Sequence, residues 1–282
     1  MSEPLLSVTV ATVTFRGRRG ARVRALDGVS IDILPGETVG LVGESGSGKS
    51  TLGRVVLGLQ PLDSGRLVFE GREGVAGSTR SRRERARSLQ AVFQDPYSSL
   101  NPAKTVGQSL AEPLRIHGVR DEAETVDRVR GMLARVGLDP DHAARYPRQF
   151  SGGQRQRIAI ARALMLEPRL VVCDEALSAL DQSVQAQIAN LLLELQAATG
   201  VSLLFIGHDL GIVRHLSHRI AVLSAGSLVE FGDAERVYTA PVDPYTRELL
   251  DAEPVADPVL QRSRRAARVA ARGLAVEGGV LP

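Results

Sequence analysis

Residues 43–51 read GESGSGKST, set between the apolar run TVGLV (38–42) and the mixed run LGRVVLGLQ (52–60). A tight turn between a strand and a helix needs one glycine or two, because only glycine enters the left-handed region without steric cost. Turn formation therefore explains part of the glycine content and leaves the lysine and the Ser-Thr pair unexplained. An anion held at the start of the helix accounts for all of them, since the first N–H groups of a helix have no intrahelical partner and carry partial positive charge.

The spacing Gly43-x-x-x-x-Gly48-Lys49-Ser50 satisfies the phosphate-loop pattern. In that pattern the backbone of Gly43, Ser45, Gly46 and Gly48 curls its N–H groups around phosphate oxygens. Lys49 reaches the terminal phosphates, Ser50 offers a hydroxyl to Mg2+, and Thr51 adds a phosphate contact. The expected ligand is ATP with Mg2+. A strand before the loop and a helix after it are the context this reading requires, and the flanking runs supply both.

A second stretch, LVVCDEALSALD (170–181), places Asp174 and Glu175 directly behind an apolar strand. Paired acids at a helix start are common by themselves, because they complement the helix dipole. Behind a strand parallel to the one feeding the phosphate loop they gain chemical roles. Asp174 completes the Mg2+ shell, and Glu175 orients or deprotonates the attacking water. Ligands collect along the carboxyl ends of parallel strands, which brings the two stretches together.

Composition is consistent with a folded chain. Of 282 residues, 43% are hydrophobic and 24% charged, enough for one large domain or two unequal lobes. The net charge is only +3. The pI near 9.4 and two arginine clusters, 80–87 and 262–272, raise nucleic acid or acidic lipid as partners. Neither cluster is interleaved with aromatics, so a solvated loop and tail is the favoured reading of both. One cysteine, Cys173, excludes an internal disulfide and a cysteine-ligated cluster or zinc finger, and suits a reducing compartment. The N-terminus lacks the pattern of a signal peptide and no segment approaches 18 uninterrupted apolar residues, so the chain is not expected to cross a membrane alone.

Periodicity organises the rest. Strands are expected at Leu6–Phe15 and Val29–Ile33, joined by the basic turn region GRRGARVR (17–24), and at Thr38–Val42, with a helix from Lys49. Residues 104–145 carry helical periodicity between Pro102 and Pro147. Leu170–Cys173 and Val201–Ile206 are strands, and between them Asp181 caps a helix with Val184, Ile188, Leu191, Leu192 and Leu195 on one face. Alternating strand and helix implies a mainly parallel core sheet.

The stretch FSGGQRQRIAIARAL (150–164) resembles the signature motif of ATP-binding cassette proteins, commonly LSGGQ, with Phe150 in the place of leucine. Ser151, Gly152, Gly153 and Gln154 at a helix start form a second anion clamp for which the chain's own phosphate loop has no need. In the family the signature of one subunit closes on the ATP held by the other, so the resemblance implies two nucleotides between two head-to-tail subunits. It spans roughly Leu6 to Pro254. Carried over residue by residue, it assigns adenine stacking to Phe15, sensing of Mg2+ and water to Gln94, the loop between subunits to Ser178–Asp181, and the γ-phosphate contact to His208. It assigns a metal-binding role to Ser50, Gln94 and Asp174, catalysis to Glu175, His208 and Gln94, and nucleotide contact to Asp181. Two positions depart from the family: Ala176 replaces the usual proline, and Gly207 replaces the serine or threonine before the histidine. A looser backbone and slower turnover are the expectation there.

The segments VFQDPYSSLNP and DPYTRELLDAEPVADP look most like the second ATPase of dipeptide, oligopeptide and nickel importers. The resemblance then implies a P-loop NTPase core with a mainly parallel sheet, an N-terminal antiparallel β subdomain and an inserted α-helical subdomain. The core is placed at 1–95 and 166–235, the helical insertion at 96–165, and a C-terminal extension, partly a disordered tail, at 236–282. It also implies a sister ATPase or a homodimer, two membrane permeases, an external solute-binding protein acting indirectly, no specific nucleic acid, and a peripheral place on the cytoplasmic face of the membrane. Two rival classes are a nucleic-acid maintenance ATPase, which needs arms longer than the segment between Gln94 and Ser151 provides, and a small-molecule phosphotransferase, which has no use for SGGQ.

Overall fold

The computed structural model describes residues 3–16, 21–74, 79–94 and 99–252. Two sheets form the body. The first is antiparallel, in the order β2-β1-β4-β5, from β1 (Leu6–Arg16), β2 (Arg22–Ile33), β4 (Ser64–Phe69) and β5 (Arg72–Glu73). The second is six-stranded, in the order β10-β9-β3-β8-β7-β6, from β3 (Thr38–Val42), β6 (Leu89–Phe93), β7 (Leu170–Asp174), β8 (Ser202–Ile206), β9 (Arg219–Ser224) and β10 (Ser227–Asp233). Five of its strands run parallel, and only β10 is antiparallel, paired to β9 through a hairpin.

The central strands are continuous apolar runs because both faces of this sheet are covered. Every residue of β3 and β8 is buried, as are the first four of β7. One apolar cluster joins the antiparallel sheet, α1 (Lys49–Val56) and one face of the second sheet. The other cluster packs the remaining helices on the opposite face. These helices are α3 (Val106–Ile116), α4 (Glu122–Arg135), α5 (Gly152–Leu164), α6 (Gln182–Thr199) and α7 (Leu210–Leu216), with α2 (Thr79–Ser88) preceding β6. The chain closes with α8 (Ala234–Thr239) and α9 (Pro244–Ala252).

Local chemistry sets the helix ends. Asp181 Oδ1 accepts the Val184 N–H at 3.0 Å and starts α6, and Gly200, at φ 70°, stops it. The face of α6 expected to be apolar is the one that packs inward, with Ile188, Leu191, Leu192 and Leu195 buried. Residues 94–169, which contain α3, α4 and α5, leave β6 and return at β7, its direct neighbour, with Leu89 still in register with Leu170.

Two expectations are corrected. The turn region 17–24 is shorter than its basic composition implies, because strand β2 begins at Arg22, with Arg22 opposite Arg16 and Val23 opposite Phe15. β2 is an edge strand, where arginine side chains reach water without breaking the ladder. The expected C-terminal tail is also shorter, because residues 234–252 fold into α8 and α9 against β10. The rest of that tail, including the arginine cluster 262–272, lies outside the described residues. Asp95 and Pro96 of the VFQDP stretch lie outside them as well. No described helix is long and apolar enough to cross a membrane.

Candidate functional site

The register of the parallel sheet lines up Leu41, Ile206, Asp174 and Phe93 as one row across β3, β8, β7 and β6. Just beyond this row the four strands release Gly43, His208, Glu175 and Gln94 at their carboxyl ends. Residues far apart in sequence thus reach one edge because four strands of nearly equal length end together.

Two glycines of the phosphate loop are fixed by different demands. Gly48, at φ 106°, caps α1, and a Cβ there would lie 2.3 Å from the carbonyl of Ala25. Gly46, at φ 83°, meets nothing within 4 Å, so its freedom serves the loop's curl and it faces open space. No side chain caps the start of α1, which leaves the helix N-terminus open to an external anion. Lys49 is buried, with Nζ donating to the carbonyls of Gly43 at 2.7 Å and Glu44 at 2.8 Å. Burial holds its ammonium below the usual lysine range, against the pull of Glu175, Asp174 and Glu44.

Ser50 Oγ donates to Asp174 Oδ1 at 3.0 Å. Burial pushes the Asp174 carboxyl up, the Ser50 hydrogen bond pulls it down, and neighbouring Glu175 adds to the rise. Both ionic groups are therefore held against their burial. An anion beside Lys49 and a hard cation between the Ser50 hydroxyl and the Asp174 carboxylate would relieve both strains, and the oxygen donors match Mg2+. The residues present fit the metal–nucleotide pair.

Glu175 takes a left-handed backbone, φ 50°, which is costly for a glutamate and persists here because its peptide groups are tied. Its N–H donates to the Ile206 carbonyl at 3.0 Å, and its carbonyl accepts from the N–H and Oγ of Ser178 at 3.1 and 2.9 Å. Glu175 and His208 open on one cleft with Ser178, Gln185 and Asp209. Gln94 is exposed behind β6. Ala176 is buried, and Gly207 is buried with its N–H on the Leu41 carbonyl at 3.2 Å. A Cβ at Gly207 would lie 2.9 Å from Val213 Cγ2, so the space a serine would take is filled and the backbone there is not loose.

Phe15 is 40% exposed on the antiparallel sheet, which rules out an ordinary core aromatic. Its cross-strand partner Val23 is 58% exposed, and the pair makes an apolar step that the sequence reading missed. Its signal was hidden by the surrounding arginines.

The signature residues use their bonds on each other: the Gln154 N–H donates to Ser151 Oγ at 3.3 Å, and the Ser151 N–H to Gln154 Oε1 at 3.0 Å. This reciprocal cap starts α5 and leaves Ser151 exposed. Gly153 serves close packing, since a Cβ there would lie 2.6 Å from Val184 Cγ1. None of these contacts involves the chain's own phosphate loop. Asp181 is exposed, with Ser183 Oγ donating to its Oδ1 at 2.8 Å. A further residue reaches the loop from the far end of the chain: the Glu44 N–H donates to the Tyr245 hydroxyl at 3.0 Å.

Comparison with known proteins places this arrangement. The family described as ABC transporter matches residues 26–178. The chain is 49% identical over 269 residues to the glutathione import ATP-binding protein GsiA of Salmonella paratyphi A and of Escherichia coli, covering 93% of this chain and 43% of each relative. It thus spans less than half the length of these curated relatives. Among solved structures it is similar to the cassette MJ0796, a dimer in a post-hydrolysis state bound to ADP and Pi. That match has a TM-score of 0.73 at 28% identity and covers 81% of this chain and 98% of that one. It is also similar to cbiO1 from Clostridium perfringens, part of the transporter complex cbiONQ, with a TM-score of 0.76 at 28% identity over 85% and 92% of the two chains.

Proposed function

The chain belongs to the ABC transporter family, and from that premise we propose that it binds and hydrolyses ATP to energise an importer of small peptides, glutathione-sized solutes included. The observation that carries this reading is the Ser50–Asp174 contact at 3.0 Å beside the buried Lys49, at the open start of α1.

In this reading the N–H groups at the start of α1 and the Lys49 ammonium hold the phosphates, replacing water with fixed donors. Mg2+, held by Ser50 and Asp174 with Gln94 nearby, supplies neutralising charge on the phosphate oxygens. Glu175 orients and deprotonates the attacking water, its side chain aimed by the left-handed backbone. His208, across the same cleft, contacts the terminal phosphate. Phe15 and Val23 supply the apolar step for the base.

Ser151, Gly152, Gly153 and Gln154, together with Asp181, complete the site of a partner ATPase rather than their own. Their bonds support this, because they are used on each other and leave Ser151 exposed. The helical insertion at 96–165 passes closure of the pair from Gln94 to two permeases at the cytoplasmic face of the membrane, with an external solute-binding protein delivering the cargo. The core at 1–95 and 166–235 does the chemistry.

The test is Glu175→Gln. The variant is expected to bind ATP, pair more persistently with its ATPase partner, and lose roughly 100-fold or more of turnover, the scale of a general base. Hydrolysis at the wild-type rate would contradict the role given to Glu175.

A further inference from the structure

The peptide unit between Gly43 and Glu44 is held at both ends. Its carbonyl, on Gly43, accepts from Lys49 Nζ at 2.7 Å, and its N–H, on Glu44, donates to the Tyr245 hydroxyl at 3.0 Å. A peptide group is planar, with C=O and N–H pointing in opposite directions, so fixing one end fixes the other. An ammonium has three donors. Two of those on Lys49 are taken by the carbonyls of Gly43 and Glu44, so the direction of the remaining one is set by where those carbonyls stand.

Tyr245 is itself firmly placed. It lies on α9, half-buried against the main apolar cluster, and its N–H donates to Asp243 Oδ1 at 2.8 Å at the start of the helix. The turn before α9 is fastened to β10: the buried Glu230 carboxylate accepts the N–H groups of Val242 and Asp243 at 3.1 and 3.2 Å. Arg247 adds bonds from Nε to the Pro241 carbonyl at 3.1 Å and from its terminal nitrogen to the Val242 carbonyl at 3.2 Å. A continuous series of bonds therefore runs from β10 through α9 to the phosphate loop.

We infer that α9 is a working part of the nucleotide site, with Tyr245 a positioning residue that sets the Gly43–Glu44 peptide and, through it, the Lys49 ammonium. The inference rests on the proposed binding of ATP at this loop. Coupling of this kind is reciprocal: a helix that favours the nucleotide-binding form of the loop is itself held more tightly when nucleotide is bound. The C-terminal extension is then a lever on nucleotide affinity. Anything that pulls α9 from β10 weakens the hold on ATP without touching a phosphate.

The experiment compares the wild-type chain with Tyr245→Phe, which keeps the ring and removes the hydroxyl. Affinity for MgATP is expected to fall about fivefold, the scale of one hydrogen bond, with KM raised and kcat nearly unchanged. Hydrogen exchange supplies a measurement that needs no variant: saturating MgATP is expected to slow exchange of the wild-type amides at 247–252, and to do so far less in Tyr245→Phe. Equal affinity in the two proteins, or exchange at 247–252 indifferent to MgATP in a wild-type chain that binds it, overturns the inference alone. A wild-type chain that binds no nucleotide overturns the proposed function as well.

Discussion

Ser50 and Asp174, 124 residues apart in sequence, meet with Oγ 3.0 Å from Oδ1. The contact is a product of the sheet: β3 delivers the loop that begins α1, β7 delivers the carboxylate, and β8 between them keeps both strands in register. Two oxygen donors for a hard cation are thus assembled by backbone pairing, before any ligand contributes.

Gly153 is predicted to be intolerant of any side chain. Its missing Cβ would sit 2.6 Å from Val184 Cγ1, where α5 approaches α6. Gly153→Ala is expected to lose about 1–3 kcal/mol in urea unfolding, the cost of overpacking. Adding Val184→Ala should recover much of the loss. Additive losses would show that the crowding is absent.

Restoring the residue type usual in the family at position 207 should cost stability rather than add it. A Cβ at Gly207 would lie 2.9 Å from Val213 Cγ2 and 3.2 Å from Phe205 Cε1. Gly207→Ser is expected to destabilise by about 1–2 kcal/mol, and Val213→Ala in the same chain should lessen the effect. A serine variant as stable as wild type would contradict the packing described.

Cys173 should be chemically silent in the folded protein. It is fully buried at the end of β7, and burial, with Asp174 adding to the effect, pushes its thiol up to about 12. Iodoacetamide at pH 8 is expected to label it at least 100-fold more slowly in the native chain than in denaturant, since the thiolate is the reacting form. Rapid native labelling would mean that the strand opens readily.

The anchoring of α9 should weaken in acid. Burial alone would raise the Glu230 carboxyl, but the N–H groups of Val242 and Asp243 and the Arg236 guanidinium outweigh it and hold it below the usual glutamate range. A carboxyl lowered in the folded state stabilises fully above its unfolded value, near about 4.3, and loses that contribution as pH falls through the folded value. The stability deficit of Glu230→Gln is therefore expected to be largest near neutral pH and to shrink as pH falls toward 3, measured by urea unfolding. A deficit constant with pH would remove the carboxylate from the account.

The phosphate loop, the Asp174-Glu175 pair and the strand before each could be read from local pattern, because glycine spacing and apolar runs are properties of short segments. So could the cap of α6 by Asp181. Elsewhere the deciding contact is between distant residues. Nothing near Tyr245 announces that its hydroxyl meets Glu44, and nothing near Gly153 announces Val184. The extent of β2 was hidden for another reason: its arginines lie on an exposed edge, where charge and strand pairing coexist and apolar alternation fades. Gly207 misled in the opposite direction, since glycine's freedom in isolation is cancelled by a bonded N–H and a filled neighbourhood.

The detour from β6 to β7 begins and ends on adjacent rungs of one ladder, with Leu89 opposite Leu170 as though nothing intervened. An excursion whose departure and return points are separated by about 4.8 Å places few demands on the framework it leaves. Evolution can lengthen it, trim it or swap it wholesale to suit a new membrane partner, while the catalytic chassis is inherited intact.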